Sequence, residues 1–120
     1  MDKFEDLAIQ ASHILEVVEN YQWSLGQLSN EVVQTFGYKA LEDFSKKIES
    51  IGGVRRSPAS LRLYAHVYKI SDQLGLPKDI LFSCCREITF SNDPVKYAKL
   101  AQSGMSGYEI KKLIYQEKYA

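Results

Sequence analysis

A chain of 120 residues with 45% apolar and 25% charged residues falls in the range of one soluble globular domain, large enough to bury a core without disulfides or metals. Three Pro, seven Gly and the absence of any low-complexity tract exclude a disordered chain and a turn-rich β-sandwich. Fifteen Lys+Arg balance fifteen Asp+Glu, and that net charge of zero speaks against wholesale coating of nucleic acid or membrane while leaving room for a local basic face.

The chain starts Met-Asp-Lys-Phe-Glu-Asp and then carries Phe4, Leu7, Ala8, Ala11, Leu15, Val18 and Tyr21 at steps of three and four. That spacing marks one face of an amphipathic helix and predicts neither a signal peptide nor a membrane span. The pattern resumes at Leu25, Leu28, Val32, Val33 and Phe36 after a predicted break near Ser24 and Gly26, and Gly37 supplies a C-cap. Residues 1–37 are the expected dimerisation element, with Trp23 as a core or interface anchor.

A second helix is predicted from about Lys39 to Ser50, with Leu41, Phe44 and Ile48 inward and Gly52-Gly53 as its stop. Ser57-Pro58 gives the third helix an N-cap and a proline at its first position, and the apolar pattern carries it to about Leu74, before Gly75-Leu76-Pro77. A short helix is expected from Lys78 to Arg86, with an extended piece near Glu87–Phe90. Asn92-Asp93-Pro94 opens another helix through about Ser103, and Gly104 stops it. Ser106 and Glu109 form a capping box for a last helix to about Gln116. The sum is an all-α, single compact domain of five to six helices over 1–120, with its sections at 1–37, 39–74 and 78–120.

Charge changes sign along this string. Residues 1–50 hold four lysines against nine carboxylates, a net of −5, and residues 51–120 hold eleven Lys/Arg against six, a net of +5. The basic half begins where a helix–turn–helix is expected. A support helix (Ala40 to Ile48) leads through a Gly-containing turn and Arg55-Arg56 to Ser57-Pro58-Ala59-Ser60-Leu61-Arg62-Leu63-Tyr64. Small residues let that helix start approach a duplex, and its amides with Ser57 or Ser60 can donate to phosphate. Arg62 is placed for guanine in the major groove, Arg55 and Arg56 for the backbone or minor groove, and Tyr64 and Lys69 add contacts. The turn over 51–57 is longer than the usual three or four residues. The alternative is a packed helix pair with an exposed basic loop.

Other residues point to ordinary packing. Adjacent Cys84 and Cys85 cannot easily bridge each other and are read as reduced thiols of a cytoplasmic protein, packed at a helix end. A zinc site wants spaced ligands, and only His13 and His66 are left to supply them, so no metal, cofactor or catalytic residue is expected. Most of the eight tyrosines, six of them in the basic half, are read as core-edge residues with wet hydroxyls.

Taken in order, Trp23-Ser24-Leu25-Gly26, Phe36-Gly37-Tyr38, Ser57 to Tyr64, Ile80 to Ile88 and Met105-Ser106-Gly107-Tyr108-Glu109-Ile110 resemble the running motifs of small helix–turn–helix proteins of bacteria, plasmids and phages. The set is similar to LmbU-type regulators and, more distantly, to the helix–turn–helix core of ParB/KorB partition proteins. Cys84-Cys85 stands where that pattern has two histidines. The resemblance implies a sequence-specific binder of double-stranded DNA, acting in transcription, replication or partition without catalysis. The expected assembly is a homodimer, and the rival class is an adaptor or phage-type inhibitor that binds a partner protein.

Overall fold

A computed structural model describes residues 2–77 and 79–119. The described residues form six helices and no strand: α1 (Lys3–Phe36), α2 (Ala40–Gly52), α3 (Pro58–Gln73), α4 (Phe82–Thr89), α5 (Pro94–Gln102) and α6 (Gly107–Lys118). The all-α reading therefore holds, and so do most of the helix ends, because the signals that set them are local. The side chain of Asp2 accepts from the Glu5 amide at the start of α1, and those of Ser57, Asp93 and Ser106 do the same for α3, α5 and α6. Gly53, at φ 74°, closes α2 in the left-handed conformation that glycine adopts without steric cost.

The break predicted near Ser24 and Gly26 does not occur. α1 runs unbroken for 34 residues, because Gly26 serves packing there. A Cβ at Gly26 would lie 2.7 Å from the Tyr64 carbonyl oxygen and 3.2 Å from the Tyr68 Cβ. The glycine lets the backbones of α1 and α3 approach closely, and Gly26 and Ser29 are the buried residues of α1.

α3 is the central element, with α1, α2 and α4 packed on it and Leu61, Ala65, Val67 and Ser71 buried. Below it lies the main core, made by Val67, Phe82, Cys84, Cys85, Ile88, Tyr97, Ile110 and Ile114 with smaller residues between them. Trp23 reaches into this core from α1, edge-on to Phe82 at 5.2 Å and to Tyr68 at 6.2 Å. It is thus a core anchor, half-buried at the core's edge.

The fourth helix differs from its predicted span. It starts at Phe82 and continues through Thr89, so the piece near Glu87–Phe90 is helical up to its last residue. Lys78, the predicted start, lies outside the described residues. Leu81 offers no side-chain cap, and the Glu19 carboxylate of α1 instead accepts from the Phe82 amide at 2.6 Å. An anion from a distant helix thus answers the positive end of α4.

Residues 2–18 are all exposed, so the first half of α1 projects beyond the body. The radius of gyration of 16.5 Å reflects this; a compact chain of this length would give about 14 Å.

Replacing Gly26 by Ala forces the α1–α3 crossing apart and is expected to cost about 1–3 kcal/mol. The same change at Gly52, where a Cβ meets open space, is expected to stabilise by roughly 0.5–1 kcal/mol. Urea unfolding followed by circular dichroism reads both.

Candidate nucleic-acid interface

The α2–α3 turn holds five residues, Gly53 to Ser57, two fewer than the predicted 51–57 because α2 extends through Gly52. Its conformation is fixed from behind. The Ser45 hydroxyl donates to the Arg56 carbonyl, and the Arg56 Nε donates to the Tyr21 hydroxyl. The Arg56 guanidinium also lies 5.2 Å from the Tyr21 ring centroid and donates from a terminal nitrogen to the Arg55 carbonyl at 3.1 Å. Arg56 is a half-buried latch between the turn and α1 and is not a free surface cation.

Tyr64 is likewise engaged within the fold. Its ring points inward, edge-to-face with Tyr21 at 6.5 Å and Phe82 at 5.7 Å, so it belongs to the packing beneath α3. The hydroxyls of Ser57 and Ser60 are engaged locally. Ser57 accepts from the Ser60 amide at 3.1 Å, and the two side-chain oxygens sit 3.0 Å apart. They shape the helix start and leave its exposed end accessible.

Two of the seven nominated residues, Arg55 and Arg62, are exposed cations, and a third, Lys69, is half-buried. Arg55 is exposed and its only ion pair, with Glu49, is long at 3.9 Å and wet, so it holds Arg55 weakly. Arg62 is exposed and lies over the Tyr38 ring at 5.7 Å. Lys69 is half-buried at the next step of the same helix edge, and His66 stands between them. Tyr38, Ala59, Arg62, Leu63, His66 and Phe90 line an open cavity of about 630 Å³ over this edge. His66, Tyr38 and Phe90 are not among the residues nominated from the sequence. The 62, 66, 69 spacing was the available signal for His66, but nothing local brings Tyr38 and Phe90 to it.

A second basic surface lies on α6. Tyr108, Lys111, Lys112, Tyr115, Lys118 and Tyr119 are all exposed, and all six line one open cavity together with Glu87 and Ile114. Lys118 lies 5.5 Å from the Tyr119 ring centroid. On the other side of α6 the Tyr97 hydroxyl donates to Glu117, which also pairs with Lys96 at 2.6 Å. Those two partners hold the Glu117 carboxyl below its ordinary value, while burial and the same carboxylate push the Tyr97 phenol up to about 12.

Close ion pairing between the two halves is sparse. Among the described residues, Arg55–Glu49 is the one ion pair that joins residues 1–50 to the rest. No group of three or more His, Cys, Asp and Glu is placed to hold a metal ion among the described residues. Cys84 and Cys85 are unbridged and buried, Cys84 donating to the Gly107 carbonyl at 3.6 Å. Burial raises both thiols, Cys85 to about 12. No described helix is long and apolar enough to cross a membrane.

Comparison with protein families, with curated proteins and with solved structures finds no match for this chain.

The raised thiol makes a direct prediction. At pH 8 the Cys85 thiolate population falls about a thousandfold below that of a free cysteine. Native protein should therefore resist a thiol-reactive chromophore that labels both cysteines in denaturant, and protection should persist to pH 10. Rapid labelling of Cys85 at pH 8 would contradict its burial.

Proposed function

We propose that the protein binds double-stranded DNA without catalysis or cofactor, as a cytoplasmic homodimer that regulates transcription, replication or partition. The observation that supports this most is the outward basic edge of α3. Arg62 and Lys69 have no carboxylate partner among the described residues, and they follow an exposed Ser57-capped helix start with Arg55 beside it. A helix start of this kind offers backbone amides to phosphate, and Arg62, one turn on, lies within reach of base edges. His66 adds a polar donor or acceptor to the same edge.

The projecting half of α1 is the proposed dimer element. Phe4, Leu7, Ala11, Ile14 and Val18 repeat at alternating steps of three and four, with Ala8 and Leu15 widening the stripe. Phe4 is 83% exposed, and Ile14 and Leu15 are each 64% exposed. Asp2, Glu5, Asp6 and Glu16 fall on other faces. A stable protein interface buries at least about 1,200 Å² in total, and pairing of two such stripes is the proposed way to reach it. Antiparallel pairing separates the acidic N-terminal turns of the two copies, which parallel pairing would bring together. The stripe continues onto the body through a groove of about 690 Å³ that includes Leu15, Trp23, Ile80 and Leu81.

That same stripe is what favours the second reading, an adaptor whose α1 receives a helix of another protein. Sedimentation equilibrium separates the two. A dimer of the 13.7 kDa chain that dissociates on Ile14→Glu is the expected result, and a monomeric wild type at micromolar concentration would favour the adaptor.

DNA binding is tested by fluorescence anisotropy with a labelled 30-base-pair duplex over a range of KCl concentrations. The logarithm of affinity should fall linearly with the logarithm of salt. Arg62→Ala should relax sequence preference at a cost of about 1–3 kcal/mol, and Arg55→Ala should weaken all sequences alike. No binding at 20 mM KCl would overturn the proposal.

A further inference from the structure

We infer that α6 is a second DNA-contacting helix, presented by α5 and the turn 103–106 as a helix–turn–helix unit of its own. The inference rests on the DNA-binding reading and adds a site to it.

The connection is the first support. Four residues, Ser103 to Ser106, join α5 to α6, and Gly104 takes φ +99°, a conformation that L side chains rarely adopt. A helix–turn–helix uses a turn of about three or four residues, often with a glycine. The α5–α6 connection fits that length more closely than the five-residue α2–α3 turn does. Ser106 caps α6, accepting from the Glu109 amide at 3.2 Å, so the helix start is well formed at the surface. Gly107 follows the cap and seats the first turn against Cys84: a Cβ there would lie 3.3 Å from the Cys84 sulfur.

The position of α6 is the second support. It packs on α4 and α5, burying Ile110 and Ile114, and its opposite side meets no other element. α3, by contrast, is packed by three helices and offers one narrow edge. A helix that enters a groove about 12 Å wide must stand clear of its own domain along one whole side.

The chemistry of that free side is the third. Tyr108, Lys111, Lys112, Tyr115, Lys118 and Tyr119 fall within an arc of about 120° at 100° per residue. The stripe holds three lysines and no carboxylate, and α6's own acids, Glu109 and Glu117, lie off it. Tyr108, Tyr115 and Tyr119 are 78%, 66% and 65% exposed, far more than core-edge tyrosines need. Lysines at this spacing neutralise phosphates on both sides of a groove, while tyrosine hydroxyls bond phosphate or base edges. No aliphatic side chain lies on the stripe, which separates it from helices that bury an apolar face in a lipid surface.

The test compares variants of the two basic surfaces on one labelled 30-base-pair duplex of mixed sequence, by anisotropy across KCl concentration, with thermal melts to confirm folding. All the changed side chains are exposed. Lys111→Ala/Lys112→Ala should weaken binding at least tenfold at 50 mM KCl and lower the salt slope by about two. Tyr108→Ala should weaken it further with the slope unchanged. If wild type binds and Arg62→Ala impairs binding while the α6 variants match wild type in affinity and slope, α6 is not a DNA contact and the general function stands. If wild type does not bind duplex at all, both fall.

Discussion

The close crossing of α1 and α3 at Gly26 is the contact on which the rest of the molecule depends. Only a residue without a side chain lets the α1 backbone lie against the Tyr64 carbonyl. Once the two helices are that close, residues in the two turns before Gly26 reach other elements. Glu19 receives the Phe82 amide and so fixes the start of α4, Trp23 lies edge-on to Phe82, and Tyr21 holds Arg56 and with it the α2–α3 turn. One helix thus positions the basic turn at one end of α3 and the core that carries α5 and α6 at the other.

Much of the fold was legible because helix starts are local events. A cap residue followed by proline, or a serine three residues before a glutamate, states its case within four residues, and the structure places α3, α5 and α6 within about two residues of those signals. The misreadings have a common physical cause. Gly26 looks like a breaker when its neighbours are Leu25 and Gln27 and like a packing residue only when α3 is present. The start of α4 has no cap in its own sequence, since its carboxylate comes from Glu19, 63 residues earlier. Tyr64 follows the serine-and-arginine pattern of a DNA-facing turn, yet the twist of α3 turns it toward Tyr21 and Phe82.

Site residues divide along the same line. Arg55, Arg62 and Lys69 could be nominated from charge and position, and the first two are exposed while Lys69 is half-buried. Arg56 could not be told from Arg55 in sequence, because what separates them is a tyrosine on another helix. The α6 stripe was present as a periodicity, 108, 111, 112, 115, 118 and 119, but a stripe of tyrosine and lysine reads as an amphipathic core edge until the buried face is known to be Ile110 and Ile114.

Zero net charge also takes on a different meaning in three dimensions. The acidic half places five of its nine carboxylates on the first nineteen residues of α1 and its cap, most of them on the projecting segment, and the basic half places the exposed Arg62 on α3 and the exposed Lys111, Lys112 and Lys118 on α6. The molecule carries an acidic, apolar-striped arm and a basic body, the division on which the proposed dimerisation and DNA binding rest. The most direct measurement is a residue-by-residue map of backbone amide shifts by nuclear magnetic resonance as duplex DNA is added to isotope-labelled protein. The account predicts shifts concentrated on 53–69 and 104–119, with residues 3–18 unmoved. Shifts confined to α1, or none at saturating duplex, would contradict it.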